Sequence, residues 1–217
     1  HGDARAGVDQ QARQQVERVL GAERHQHLVE ARHDAAPGQD AAADLLLTMF
    51  QYQDSFGQLP DLVDDRYVHY LSTKPPLQGF VFLHLLPRLR SPFTADHFRR
   101  LYDPFRRWYL WWMTWRDTDG NGIPAYDQGC ECSMDTSDMF ASGVPVEGPD
   151  LMAYMILLAE ALQTMAAALS LPEEGFWRRE GSRLLDALIR DFWTGERFIA
   201  RLSGSRLPVE SREIEMY

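Results

Sequence analysis

The stretch DHFRRLYDPFRRWYLWWMTWRDTDGNG, residues Asp96–Gly122, sets the fold class. Phe98, Leu101, Tyr102, Phe105, Trp108, Trp112 and Trp115 recur at helical spacing and place an aromatic stripe on one face of a helix that ends near Arg116. The same period continues in both directions. Upstream, Leu45, Leu46, Met49 and Tyr52 give one face to Asp40–Gln53, before Gly57 and Pro60 end it. Pro75 and Pro76 suit the start of a further helix, with Leu77, Phe80, Val81 and His84 on its face and Pro87 and Pro92 closing it. Downstream, Asp150 is placed to cap a helix carrying Leu151, Tyr154, Met155, Leu158, Leu162, Met165 and Leu169 as far as Pro172. Glu173–Thr194 follows with Phe176, Leu184, Leu185, Leu188, Ile189 and Phe192 inward and Gly181 as a weak point. A fainter stripe over Val8–Ala31 makes a sixth helix, and GERFIARLSGSRL, residues 195–207, reads as a short hairpin or extended excursion. Strand-like alternation is scarce, so the expectation is all-α, six helices and no sheet. Residues 117–149, rich in glycine and proline, are expected to form a long irregular connection, the kind of loop that is usually functional or disordered.

Composition narrows the chemistry. The 217 residues carry 45% hydrophobic and 25% charged side chains, as globular domains do. Net charge is 22 − 32 = −10, and Lys74 is the only lysine, so a nucleic-acid backbone would meet overall repulsion. Neither Trp108–Trp115 nor Leu151–Leu171, interrupted by Glu160 and Gln163, reads as a bilayer span of about 20 apolar residues. Cys130 and Cys132, one residue apart, are expected to be reduced thiols, which permits a reducing, cytoplasmic setting and leaves localisation open. They lack partners at zinc-site spacing, and neither a nucleophile elbow nor a phosphate-binding glycine loop is present.

Arg116–Phe140, RDTDGNGIPAYDQGCECSMDTSDMF, gathers Asp117, Asp119, Asp127, Glu131, Asp135 and Asp138 directly after the aromatic helix. Rings such as Trp115 offer flat apolar faces to pyranose C–H groups, while carboxylates and Arg116 can bond hydroxyls. A carboxyl beside apolar rings loses hydration, which favours its neutral, proton-donating form. The plainer reading is that the rings are core and the acids a solvated loop. Asp117, Asp119 and Asn121 also match the opening of a calcium loop, with Gln128 where the bidentate glutamate belongs; a structural Ca²⁺ and a hydrogen-bonded Asp/Asn/Gly turn are the two readings. No other cofactor is required.

Five motifs, taken together and in order, are similar to one family. FGQLPD (56–61), STKPPLQG (72–79), RDTDGNGIPAY (116–126), ECSMDTS (131–137) and PDLMAY (149–154) make the chain resemble the (α/α)₆-barrel α-glycosidases of glycoside hydrolase family 63 over about Asp44 to Arg201. The resemblance implies a partial (α/α)₆ toroid over 44–217, about half of the barrel, preceded by a poorly matched helical segment over 1–43. It implies a general-acid aspartate at Asp135. It also implies pocket-lining or pocket-shaping roles for Lys74, Gln78, Arg116, Asp117, Asn121, Tyr126 and Glu131. Ser133 and Thr136 stand where the family carries glycine and asparagine. The family's catalytic base comes from the last third of the barrel, beyond this sequence, so the remainder of the barrel is expected from the same or another polypeptide.

The expected activity is inverting hydrolysis of a small α-glycoside, an α-glucoside or α-mannoside. Alternatives are a non-catalytic carbohydrate-binding or helical interaction fragment, and another (α/α)-toroid enzyme such as a trehalase-like hydrolase or a lyase.

Overall fold

The structure, a computed structural model, describes residues 37–132 and 137–209. The helix expected over Val8–Ala31 lies outside the described residues, and so does Asp135.

Ala95–Trp115 is a single 21-residue helix, α3. Its start is fixed by His97, whose Nδ1 accepts the backbone N–H of Thr94 at 3.0 Å, leaving Nε2 to meet Asp40 Oδ1 at 2.8 Å. Asp40 belongs to α1 (Gln39–Leu47), so one imidazole both caps α3 and ties it to α1. Pro104 sits inside α3, and the Gln53 side-chain amide donates to its carbonyl at 3.1 Å. The remaining helices are α2 (Gln78–Leu85), α4 (Pro149–Ala168) and α5 (Glu174–Phe192).

α4 is the centre. It packs against α2, α3 and α5, and its buried residues go round the whole helix, from Leu151 and Met152 to Leu162, Met165 and Ala166. By length and composition it could cross a membrane, although the sequence reading set it aside for Glu160 and Gln163; 61% of its most apolar window is buried against its neighbours. α2 meets it at Gly79, where an added Cβ would lie 2.4 Å from Leu158 Cα. α3 and α5 are joined by Trp177 Nε1–H donating to Tyr102 Oη and Tyr109 O–H donating to Glu180, each at 2.8 Å.

Several expected faces differ. Leu45 is 71% exposed and Tyr52 is exposed, while Ala42, Ala43, Leu46 and Phe50 face inward. α2 buries Gly79 and Phe82, leaving Leu77 and Val81 outward, and Phe176 of α5 is exposed. Close approach here is made by alanine and glycine, which a leucine-based stripe does not reveal. Asp150 is not the cap of α4: Gly148 is, and the Asp150 carboxylate instead accepts the Tyr126 hydroxyl at 2.8 Å.

The expectation of no sheet is also corrected. β1 (Leu62–Val63) pairs antiparallel with β2 (Val68–His69), and β3 (Val146–Glu147) with β4 (Arg201–Leu202). Two-residue strands are too short to print an alternating pattern. The expected hairpin is confirmed at β4, with Trp193 bridged to Phe198 and Arg201 to Pro208. Helix α1 runs through positions 43 and 44, where the sequence likeness begins.

Candidate active site

α3 delivers Arg116 at its C-terminal end, and the loop beyond turns back over it. The Arg116 guanidinium is buried, pairs with both Asp127 and Glu131, and lies 5.1 Å over the Trp111 ring and 5.9 Å from that of Trp112. The planar fork suits this position because it can serve two carboxylates while stacking on indole. Glu131 is fully buried, and its second oxygen accepts the Asp127 backbone N–H at 2.7 Å. Burial pushes the Glu131 carboxyl above its ordinary range, against the opposing pull of Arg116 and the Asp127 N–H. Glu131 is therefore an anchor beneath the surface. Asp127, 47% exposed, is the carboxylate that faces outward.

Lys74 approaches from the Ser72–Leu77 turn. Its ammonium donates to the Cys130 carbonyl and lies 3.6 Å from Asp61 Oδ1, and Asp61 also accepts the Ser72 hydroxyl at 2.8 Å. The Gln128 side chain donates to the Leu71 carbonyl at 3.1 Å, so the 71–78 and 127–131 segments are sewn together. Gln78 gives its amide oxygen to the Trp108 indole N–H at 3.0 Å. Cys130 and Cys132 form no disulfide, and the buried Cys132 donates its thiol to the Gly129 carbonyl at 3.2 Å. Residues 133–136 follow directly from this anchored segment and lie outside the described residues.

The remaining predicted residues divide. Tyr126 is fully buried, bonded through its hydroxyl to Asp150 and through its backbone to Val146, so it is part of the core that holds the loop. Burial drives the Tyr126 hydroxyl well above its usual range and raises the Asp150 carboxyl too. Asp117 Oδ2 accepts the Gly122 N–H at 2.9 Å, and its buried second oxygen has no hydrogen bond among the described residues. Asp119 and Asn121 bond instead to the segments around Gly204 and Glu147. Asp119 Oδ2 accepts from the Gly204 N–H (2.8 Å) and the Asn121 amide (2.9 Å), and Asn121 Oδ1 accepts the Ile123 N–H (2.8 Å). Apart from Asp117 Oδ1, the oxygens of the calcium-loop-like triplet thus accept N–H donors, and no cluster of three metal-ligating His, Cys, Asp or Glu side chains exists among the described residues.

The aromatic stripe is mostly core. Trp108, Tyr109, Trp111 and Trp112 are buried, and of this stripe only Trp115, 51% exposed, is available to a ligand. Beside it stands a residue the sequence left without a role: Phe56, 67% exposed, edge-on to Trp115 at 5.7 Å. Its loop is rigidly held. Asp54 Oδ1 accepts the N–H groups of Phe56, Gly57 and Gln58, and Gly57, at φ +104°, presses so close to the Arg107 carbonyl that a Cβ would lie 2.5 Å from it. The signal was the FGQLPD motif itself, whose glycine permits the turn that presents the ring.

Comparison with known proteins decides the family. The family model of the mannosylglycerate hydrolase MGH1-like glycoside hydrolase domain matches residues 25–217. The chain belongs to this family. The glycoside hydrolase domain so identified covers every site residue described above. A crystal structure of an uncharacterized conserved protein from Thermus thermophilus shares the fold, with a TM-score of 0.65 at 18% identity. The alignment covers 82% of this chain and 59% of that one, so the chain spans less than two thirds of the length of the protein it resembles. No curated protein matches.

Proposed function

We propose that this glycoside hydrolase domain contributes the acid half of an inverting α-glycosidase. Asp135 protonates the leaving glycosidic oxygen, and a carboxylate base outside this chain activates water on the opposite sugar face, the two carboxyls standing ~6.5–9.5 Å apart. The observation that carries the reading is the family match over 25–217 together with the anchored Arg116–Asp127–Glu131 centre, from which the Asp135 segment emerges. The likeness of ECSMDTS to the acid motif of glycoside hydrolase family 63, and of the helix order to a partial (α/α)₆ toroid, supports the same assignment.

The substrate we propose is a small α-mannoside or α-glucoside. The family description names mannosylglycerate, a mannoside of glyceric acid. Lys74 and Arg116 supply positive charge near the site, Asp117 and Asp127 accept sugar hydroxyls, and Trp115 with Phe56 gives an apolar rim.

In the complete enzyme, Asp135→Asn should lower kcat by ~10²–10⁴-fold, the usual worth of a general acid, with the melting temperature unchanged. Proton NMR of the first-formed sugar should show the inverted anomer. A kcat near the wild-type value overturns the acid assignment, and a retained anomer overturns inversion.

A further inference from the structure

The turn Asp117–Gly122 is held from the far end of the chain. Arg206, on the hairpin that contains β4, places one guanidinium nitrogen on Glu147 and another 3.4 Å from Asp191 Oδ2, with its charge 5.8 Å from the Phe192 ring. Glu147 is fully buried on β3 and gives its other oxygen to the Asn121 side-chain amide at 2.8 Å. The same amide donates to Asp119, and Asp119 accepts the Gly204 N–H from the hairpin. Two carboxylates thus share one amide, and the hairpin supplies the cation and an N–H donor that balance them.

Arg206 is also one of two described non-glycine residues with positive φ, at +60°. Its N–H donates to the Leu202 carbonyl at 2.9 Å, and its own carbonyl accepts from Arg201 at 3.0 Å. A left-handed conformation in a residue with a long side chain persists only where its surroundings impose it. The ladder beside it leads to the site: Leu202 pairs with Val146, Val146 exchanges backbone hydrogen bonds of 2.8 and 2.9 Å with Tyr126, and Asp127 follows.

We propose that Arg206 is a positioning residue for the glycosidase site, its guanidinium supplying, through Glu147 and the Asn121 amide, the counter-charge that a bound cation would otherwise give the Asp117–Gly122 turn. This rests on the proposed function, in which Asp117, at the start of that turn, accepts a sugar hydroxyl.

The test compares the complete wild-type enzyme with Arg206→Ala and Arg206→Lys, measuring amide hydrogen exchange at Asn121, Gly122 and Gly204 alongside mannosylglycerate hydrolysis. In Arg206→Ala, exchange at these amides should accelerate at least tenfold while the amides of α4 stay protected, and kcat/KM should fall at least tenfold. Guanidinium at about 10 mM should restore both, Arg206→Lys should recover them in part, and EDTA should leave the wild type unchanged. Wild-type exchange in Arg206→Ala overturns the proposal, as does a melting-temperature loss in the wild type on adding EDTA. If Arg206→Ala loses protection throughout α4, the Lys variant decides: normal exchange at Asn121 and Gly122 upholds the counter-charge role, and accelerated exchange there that guanidinium does not reverse refutes it. A wild type that hydrolyses nothing refutes the functional reading alone, because the exchange measurements stand without turnover.

Discussion

At Arg116 one residue carries two kinds of work. Its guanidinium compensates a carboxylate with no access to water, Glu131, and steadies an accessible one, Asp127. Removing one partner of a buried pair leaves an uncompensated charge, which costs ~3–5 kcal/mol. Arg116→Ala should therefore lower the melting temperature by roughly 10 °C, since ~1 kcal/mol moves a domain of this size by about 2–4 °C. Calorimetry reads this directly; a shift under about 2 °C would show the pair to be dispensable. Glu131 allows a sharper test through pH. Its folded-state pKa lies above its unfolded value of ~4.3, with burial the main cause. The folded protein thus holds that proton more tightly, and the associated stability is present below the unfolded pKa and lost as pH rises through the folded one. Glu131→Gln cannot lose it. The melting temperature of the variant relative to wild type should rise between pH 4 and pH 7, and a flat or falling difference would contradict the pKa direction. Sequence located this centre by motif, but that Glu131 lies beneath Asp127 follows from the Asp127 N–H bending back to it, which spacing does not encode.

Among the elements, the helices that sequence could read are those with one broad apolar face. α3 and α5 were placed to within two residues because charged residues occupy their opposite sides. The inward faces of α1 and α2 match their expected stripes only in part: Leu46 is buried, but Leu45, Leu77 and Val81 point outward, because Ala42, Ala43 and Gly79, which have little apolar area, make the close contacts instead. This yields two paired expectations. Leu46→Ala should destabilise by ~2–5 kcal/mol and Leu45→Ala by less than about 0.5 kcal/mol, the difference between a core and a surface position. Equal losses in urea unfolding would restore the face drawn from the leucine stripe. Gly79→Ala puts a methyl group 2.4 Å from the Leu158 Cα, where only backbone can yield, so α2 and α4 must separate. A loss of ~1–3 kcal/mol is expected, the usual cost of overpacking, despite alanine's better helix propensity. An unchanged or raised stability would mean that the α2–α4 contact is looser than this distance.

For the molecule as a whole, the proposed chemistry is divided between what these residues hold and what they do not. The described helices gather a cation pair, outward acids and an aromatic rim at one end of α3, while the match covers 59% of the solved structure with the same fold. The proposed division rests on arithmetic, about six expected helices against the twelve of a closed toroid. Sequence could not supply the base. If that base comes from beyond residue 217, the 217-residue polypeptide should bind a sugar without cleaving it. Titration calorimetry with mannosylglycerate should then give a measurable heat of binding, abolished or weakened at least tenfold by Trp115→Ala or Phe56→Ala, and product analysis after long incubation should find no free mannose. Release of mannose would place the base inside this chain and make exposed Asp127, the carboxylate nearest the anchored loop, the first residue to exchange for asparagine. Binding that ignores both aromatic substitutions would move the sugar away from the end of α3, and with it the role assigned to the rim.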